Sequence, residues 1–175
     1  MSQLHQFNFL FQPEEDRVLL RFKTSDEAEF RLWLTRRVVK LLWSLLVKKL
    51  EENPQVQGVD NPSVKKTILS FQHQSAMAKT DLSQPYADKP TAPKPLGETP
   101  ILVTRVKAVS PQPGQHALTF APAPGAGPEL TITLPEAGLH SFCHLLMQVT
   151  EQAQWGLGLS LEDGLAVLRT PGRLM

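Results

Sequence analysis

Apolar and polar residues alternate near the start of the chain, and this alternation predicts two β-strands. The alternating apolar residues are Phe7, Phe9 and Phe11 in the first strand and Val18, Leu20 and Phe22 in the second. A period of two places every second side chain on the same face of a half-buried sheet. Because the polar turn at residues 13–16 separates the two runs, we expect an antiparallel hairpin.

A long apolar segment follows the hairpin and predicts a helix. Thr24 and Glu27 have the spacing of a capping box, and Asn53 before Pro54 predicts an end at about residue 52. The apolar positions are Phe30, Leu34, Val38, Leu41 and Leu45 on one face, extended by Leu32, Val39, Leu42, Trp43, Leu46 and Leu50. Because so little of its circumference is polar, we expect the helix to be covered on more than one side. The hairpin would supply one cover, and a helix of this chain or of a second copy would supply the other.

The middle of the chain predicts a second helix and a linker. Asn61 followed by Pro62 is typical of a helix start, and the helix should continue to about Lys79. The apolar residues Val64, Ile68, Phe71 and Ala78 fall roughly on one face of this helix. Residues 81–99 are polar and rich in proline, which predicts an extended linker.

The second half predicts three strands, at residues 101–109, 116–120 and 130–134, followed by a helix. Pro135 and Glu136 open this helix, and Gly156 and Gly158 follow it. Its apolar stripe consists of Leu139, Phe142, Cys143, Leu146, Val149 and Ala153. Short strands are expected at residues 157–161 and 165–168.

The two halves have the same order of elements. Phe30 and Trp43 have the same separation as Phe142 and Trp155, a spacing that either duplication or coincidence would explain. We therefore predict an α+β fold with one or two antiparallel sheets and the helices on one face. Two strand-strand-helix units, residues 1–80 and 100–175, would be joined by the linker at 81–99.

This duplicated order of strands and helix resembles, in outline, the single-stranded nucleic-acid binders of the Pur and Whirly type. Those proteins carry four strands before each helix, whereas the first half here offers two clear strands and adds a second helix. The resemblance implies a fold and assigns no functional residue.

Composition narrows the class of protein. The formal net charge is +1, so no global charge marks a nucleic-acid or membrane binder. The most apolar run, residues 38–47, is shorter than the roughly 20 residues that a membrane span needs. With one cysteine and no recognisable leader, we expect a cytoplasmic protein without a membrane partner.

The second half contains a possible metal or nucleophile site. His140 and His144 are four residues apart on a predicted helix, a spacing that can ligate a metal, but only Glu136 could join them on that face. Cys143 lies on the apolar stripe, which favours a core role over a nucleophilic one. The alternative is two ordinary histidines, and we predict no metal and no cofactor.

Basic residues gather in the first half. Arg36, Arg37 and Lys40 lie near the narrow polar strip of the first long helix, with Trp33 beside them. The strands add Arg21, Lys23, Arg105 and Lys107. Cations beside aromatic rings could contact phosphates and stack on bases, so single-stranded nucleic-acid binding is one hypothesis. A solvated face that keeps an apolar helix soluble is the alternative.

The excess apolar surface of the first long helix supports the leading hypothesis. The sequence lacks a phosphate loop, a dinucleotide fingerprint and a nucleophile elbow, so we expect a protein that is not an enzyme. We predict an adaptor or homodimer that binds a protein partner or a second copy. The predicted contact residues are Leu32, Val39, Trp43 and Leu46.

Overall fold

The computed structural model describes residues 3–161 and confirms the α+β class. The strands are β1 (Leu4–Gln12), β2 (Arg17–Thr24), β3 (Glu29–Leu34), β4 (Ile101–Leu102), β5 (Arg105–Gln112), β6 (Gln115–Ala121) and β7 (Leu130–Pro135). The helices are α1 (Arg36–Glu51), α2 (Pro62–Ala78) and α3 (Glu136–Gln152).

The strands form two sheets. Sheet A has the order β1-β2-β3-β4, with β1, β2 and β3 antiparallel and the short β4 parallel to β3. Sheet B has the order β5-β6-β7 and is antiparallel throughout. In each sheet a run of three antiparallel strands leads directly into a helix, α1 after β3 and α3 after β7.

The predicted start of the first helix is wrong, because its first turns form β3 instead. The side chain of Thr35 caps α1 by accepting a hydrogen bond from the Val38 N–H at 3.3 Å. A short turn at residues 25–28, with Glu27 at φ 65°, returns the chain so that β3 pairs with β2. Strand pairing buries Leu32 and Leu34 almost completely, which outweighs a capping box at Thr24.

The two halves repeat a unit of three strands and a helix, but the predicted residue correspondence is wrong. Phe30 lies on β3 whereas Phe142 lies on α3, so the shared Phe-to-Trp spacing is a coincidence. The strand register gives the equivalent positions. Val18 pairs with Leu34 in sheet A, and His116 pairs with Leu134 in sheet B, so Val18 is equivalent to His116 and Leu34 to Leu134. This offset of about 100 residues also aligns α1 with α3.

A single hydrophobic core draws on both halves. The helix α1 packs beside β5 of sheet B, and α3 packs against β1 of sheet A, so each helix contacts the other half. The fully buried Phe142 shows this contact, because its ring centroid lies 5.4 Å from that of Phe7 and 5.0 Å from that of Phe9. The halves therefore cannot separate without exposing this shared core.

The Pro-rich segment lacks helix and strand, as predicted, but it packs on sheet A. Residues 85–93, which we call the strap, lie against the face of β2 and β3 that points away from the core. The Tyr86 hydroxyl donates to Glu29 at 2.9 Å, and the Tyr86 ring lies 4.4 Å from the Arg21 guanidinium carbon. The Lys23 ammonium donates to the Ala87 carbonyl. These contacts bury Arg21, Lys23 and Glu29, so this part of the segment is a fixed cover.

The end of the described chain differs from the prediction. Residues 157–161 form no strand, although Leu161 is buried in the core. The strand expected at residues 165–168 lies outside the described residues.

Candidate functional site

The exposed face of α1 is a charged surface of the first half. Val38, Val39, Leu42, Leu46 and Leu50 point into the core, and the opposite face is exposed. Four of the six exposed α1 residues are cations, Arg36, Arg37, Lys40 and Lys48, which we call the basic stripe. At 100° per residue these four lie within about 120° of the helix circumference. The structure thus places Arg36, Arg37 and Lys40, the residues predicted to bind nucleic acid, on one exposed face together with Lys48.

The four cations of the basic stripe have no carboxylate partner in the described part of the chain. Within residues 3–161, no Asp or Glu side chain forms an ion pair with any of its four cations. Neighbouring lysines do form such pairs, for example Lys49 with Glu52 at 2.6 Å. The Arg36 guanidinium instead lies 5.7 Å from the ring centroid of Trp155. The stripe is therefore locally positive in a chain whose formal charge is only +1.

The N-terminal part of the stripe opposes the helix dipole. Arg36 and Arg37 occupy the first turn of α1, and that turn contains no acidic residue. The N-terminus of a helix carries partial positive charge, so a cation there is unfavourable by about 0.3–1 kcal/mol. The helix dipole therefore does not account for the cations at Arg36 and Arg37.

The strand cations do not join the basic stripe. The strap covers Arg21 and Lys23, and Arg21 pairs with Asp88 at 3.3 Å. Arg105 donates to the Pro122 carbonyl at 3.1 Å, and Lys107 is exposed on sheet B. Arg21 and Lys23 contact the Tyr86 ring, and Arg21 pairs with Asp88. Both partners lie in the predicted linker, where the sequence pattern gave no signal for a contact with the sheet.

Most of the predicted partner surface lies inside the chain. Leu32, Val39 and Leu46 are at most 1% exposed, and Leu32 belongs to β3. Trp43 is half-buried at the edge of the core. The sequence left open whether this chain or a second copy covers the surface. For these three side chains, this chain itself provides the cover. A partner contact at Trp43 remains a prediction.

Part of the predicted apolar face of α2 points to solvent. Val64 is 47% exposed and Phe71 is 57% exposed, whereas the buried residues of this helix are Leu69, Ser70 and His73. The buried side of α2 therefore includes the polar residues Ser70 and His73, while Val64 and Phe71 face solvent.

A cluster of three histidines joins α2 to α3. His73 and His140 lie with their Nδ1 atoms 3.1 Å apart, and the ring centroids of His73 and His144 are 5.8 Å apart. The predicted pair on α3 thus has a third member, His73, which the sequence pattern did not single out. Burial, with His140 and His144 nearby, lowers the pKa of His73 to about 4. No group of three or more His, Cys, Asp or Glu within residues 3–161 is arranged to hold a metal ion.

A second polar network lies between α1, sheet B and the start of α3. His116 Nε2 lies 2.6 Å from Glu136 Oε2, and the Ser110 hydroxyl donates to Glu52 at 2.6 Å. His116 pairs with Leu134 and occupies the position equivalent to the core residue Val18 of sheet A. The sequence pattern of sheet B therefore gave no signal that a polar residue would be buried there. Burial raises the pKa of Glu136, but the hydrogen bonds and charges of its neighbours, His116 first among them, together lower it below its ordinary value. This network ties elements together through a charge-assisted contact.

Cys143 is a core residue, as predicted. Its side chain is fully buried, and burial raises the pKa of the thiol well above its usual range. A buried thiol of this kind is a poor nucleophile.

Within the described residues, no helix combines the length and apolar character needed to cross a membrane. Comparisons with protein-family models, curated proteins and solved structures find no match for this chain.

Proposed function

We propose that this protein is a non-enzymatic binding protein and that the basic stripe of α1 binds single-stranded nucleic acid. The observation that supports this proposal is the set of four cations on one exposed helix face, with no carboxylate partner among residues 3–161. Phosphate contacts supply most of the affinity of such interfaces, and arginine and lysine make them.

The dimensions of the stripe suit a short stretch of backbone. Arg36 and Lys48 are twelve residues apart, which corresponds to about 18 Å along a helix axis. The N–H groups of the first turn add further donors for an anion. Trp43 lies at the edge of the stripe, two helical turns after Arg36 on the same side of α1, and its half-exposed ring offers a surface for base stacking.

The test is the salt dependence of binding to a labelled single-stranded oligonucleotide, measured by fluorescence anisotropy. Three to four phosphate contacts give a slope of log affinity against log salt of about −2 to −3. The double variant Arg37→Gln/Lys40→Gln should reduce the magnitude of this slope by about 1.4.

The matched control is Lys66→Gln/Lys107→Gln, which removes the same charge from exposed positions outside the stripe. If both double variants weaken oligonucleotide binding equally, net charge alone explains the loss of affinity, and the proposal is contradicted. Absence of any salt-sensitive binding would contradict it directly.

A second candidate function is self-association, which the outward apolar face of α2 supports. A two-fold contact through α1 would bring like charges together, so α2 is the better surface for a second copy. Phe71 is the largest exposed apolar residue on α2 and would lie near the centre of this contact.

Sedimentation equilibrium at micromolar concentrations tests this candidate. A dimer that Phe71→Glu dissociates, and that Leu41→Glu on α1 leaves intact, would support it, because Leu41 is about equally exposed at 49%. A monomeric wild-type protein would contradict the candidate, and so would a dimer that Phe71→Glu leaves intact.

A further inference from the structure

The contact between α2 and the rest of the protein contains buried polar atoms without hydrogen-bond partners among the described residues. Within residues 3–161, three buried side-chain polar atoms have no hydrogen-bond partner, and all three belong to α2: Ser70 Oγ, Gln72 Oε1 and His73 Nε2. A buried polar group without a partner destabilises the packed state, because it loses its hydrogen bonds to water without replacement. Since Val64 and Phe71 face solvent, α2 also leaves apolar area unburied while docked. The docked position of α2 is therefore weakly favoured relative to the rest of the core.

The buried contact of α2 with α3 includes a cluster of imidazole rings. His73 is fully buried, and its ring centroid lies 5.3 Å from that of His140 and 5.8 Å from that of His144. The Nδ1 atoms of His73 and His140 are 3.1 Å apart, so one neutral ring donates to the other. A proton added to this contact replaces an acceptor by a donor and places positive charge in a buried site.

The charges around the cluster do not compensate such a proton. From α3, His140 and His144 face His73 and both disfavour its charged form. Glu136 favours the charged form of His140, but its Oε2 already lies 2.6 Å from His116 of β6. From α1, Glu51 contacts Lys65 at 3.9 Å, two helical turns of α2 away from His73.

We propose that α2 is an acid-sensitive helix, which leaves its site on α3 when His73, packed against His140, becomes protonated. The loops on both sides of α2, residues 52–61 and 79–100, connect it to the core without a strand or helix. Release uncovers Leu69 and the surfaces of α1 and α3 that α2 covers. The device is independent of the basic stripe and of the function proposed for it.

The direction of the pH dependence follows from the folded and free pKa values. The pKa of His73 falls from 6.5 to about 4 in the docked state, so released α2 binds a proton that docked α2 excludes. The contribution of His73 to docking is therefore fully present above about pH 6.5 and is lost as the pH falls toward 4. This single group shifts the docking equilibrium on the order of 20-fold between pH 7 and pH 5.

Hydrogen exchange of the whole chain tests the proposal. Protection factors, which are corrected for the intrinsic effect of pH, should fall on the order of 20-fold in α2 between pH 7 and pH 5. Those of the β1–β2 hairpin should change much less. In His73→Leu, which keeps the side-chain volume and removes the titrating group, the fall in α2 should disappear.

Two further variants keep the test informative. His140→Asn should reduce the fall in α2 without abolishing it, because burial of His73 persists, and it provides the test if His73→Leu does not fold. His5→Leu, at an exposed histidine of β1, should behave as wild type. The proposal is overturned if α2 and the hairpin lose protection in parallel, or if His73→Leu retains the wild-type fall.

Discussion

Substitutions at the two ends of the basic stripe should have opposite effects on stability and the same effect on binding. Arg37 lies in the first turn of α1, where the helix dipole disfavours a cation, and Lys48 lies in the last turn, where the dipole favours one. The substitution Arg37→Glu exchanges an unfavourable charge for a favourable one. It also places a carboxylate three residues before Lys40, a spacing that allows an ion pair on the helix surface.

The expected magnitudes follow from these positions. Each charge near a helix end contributes about 0.3–1 kcal/mol, so Arg37→Glu should stabilise the fold by about 1 kcal/mol. Lys48→Glu should destabilise it by a similar amount, because it opposes the dipole and approaches Glu51 and Glu52. The difference of about 2 kcal/mol corresponds to a separation of roughly 4–8 °C in Tm for a chain of this length.

Thermal and urea unfolding measure the stability, and anisotropy titrations with the oligonucleotide measure the binding. Both variants should reduce the magnitude of the salt slope by at least about 0.7 for the lost phosphate contact. Arg37 is preferred to Arg36 for this comparison, because Arg36 also contacts the Trp155 ring.

Two results would refute this reasoning. Equal Tm values for Arg37→Glu and Lys48→Glu would show that the helix dipole does not act on these side chains. Wild-type affinity at low salt in both variants would remove α1 from the binding surface, whatever their stability.

Three further predictions concern the fold and its core. Thr35→Ala should destabilise the protein by about 1 kcal/mol in urea unfolding through loss of the α1 cap, whereas Thr24→Ala should cost less; a larger effect at Thr24 would favour the earlier helix start. Phe142→Ala should cost about 3–5 kcal/mol and unfold both halves in one transition, and two separate transitions would argue against a shared core. Cys143 should react with a thiol reagent at about pH 8 only after unfolding by urea, so rapid labelling of the native protein would contradict its burial.

Elements with a strong local pattern were predictable. The β1–β2 hairpin follows from the alternation at Phe7, Phe9 and Phe11, and α2 begins at the Asn61 cap that precedes Pro62. These features depend on dihedral preference and on hydrogen bonds between near neighbours. The basic stripe is also a local feature, since it depends on helical spacing alone.

The strand β3 shows where local pattern is ambiguous. Phe30, Leu32 and Leu34 alternate, but Phe30 and Leu34 also have the spacing of a helix face. A short apolar run fits both periods, so its neighbours in the folded chain decide between them. Pairing with β2 made the strand the more stable choice, and α1 begins only at Arg36.

By itself, the sequence determined the types of most elements, the α+β class and the cationic face of α1, because these depend on residues close together in the chain. Only the tertiary structure decided which faces are buried: the outward apolar face of α2, the strap over Arg21 and Lys23, and the meeting of His73 with His140. Each face competes with every other face for a limited core, and that competition depends on contacts between residues far apart in the chain.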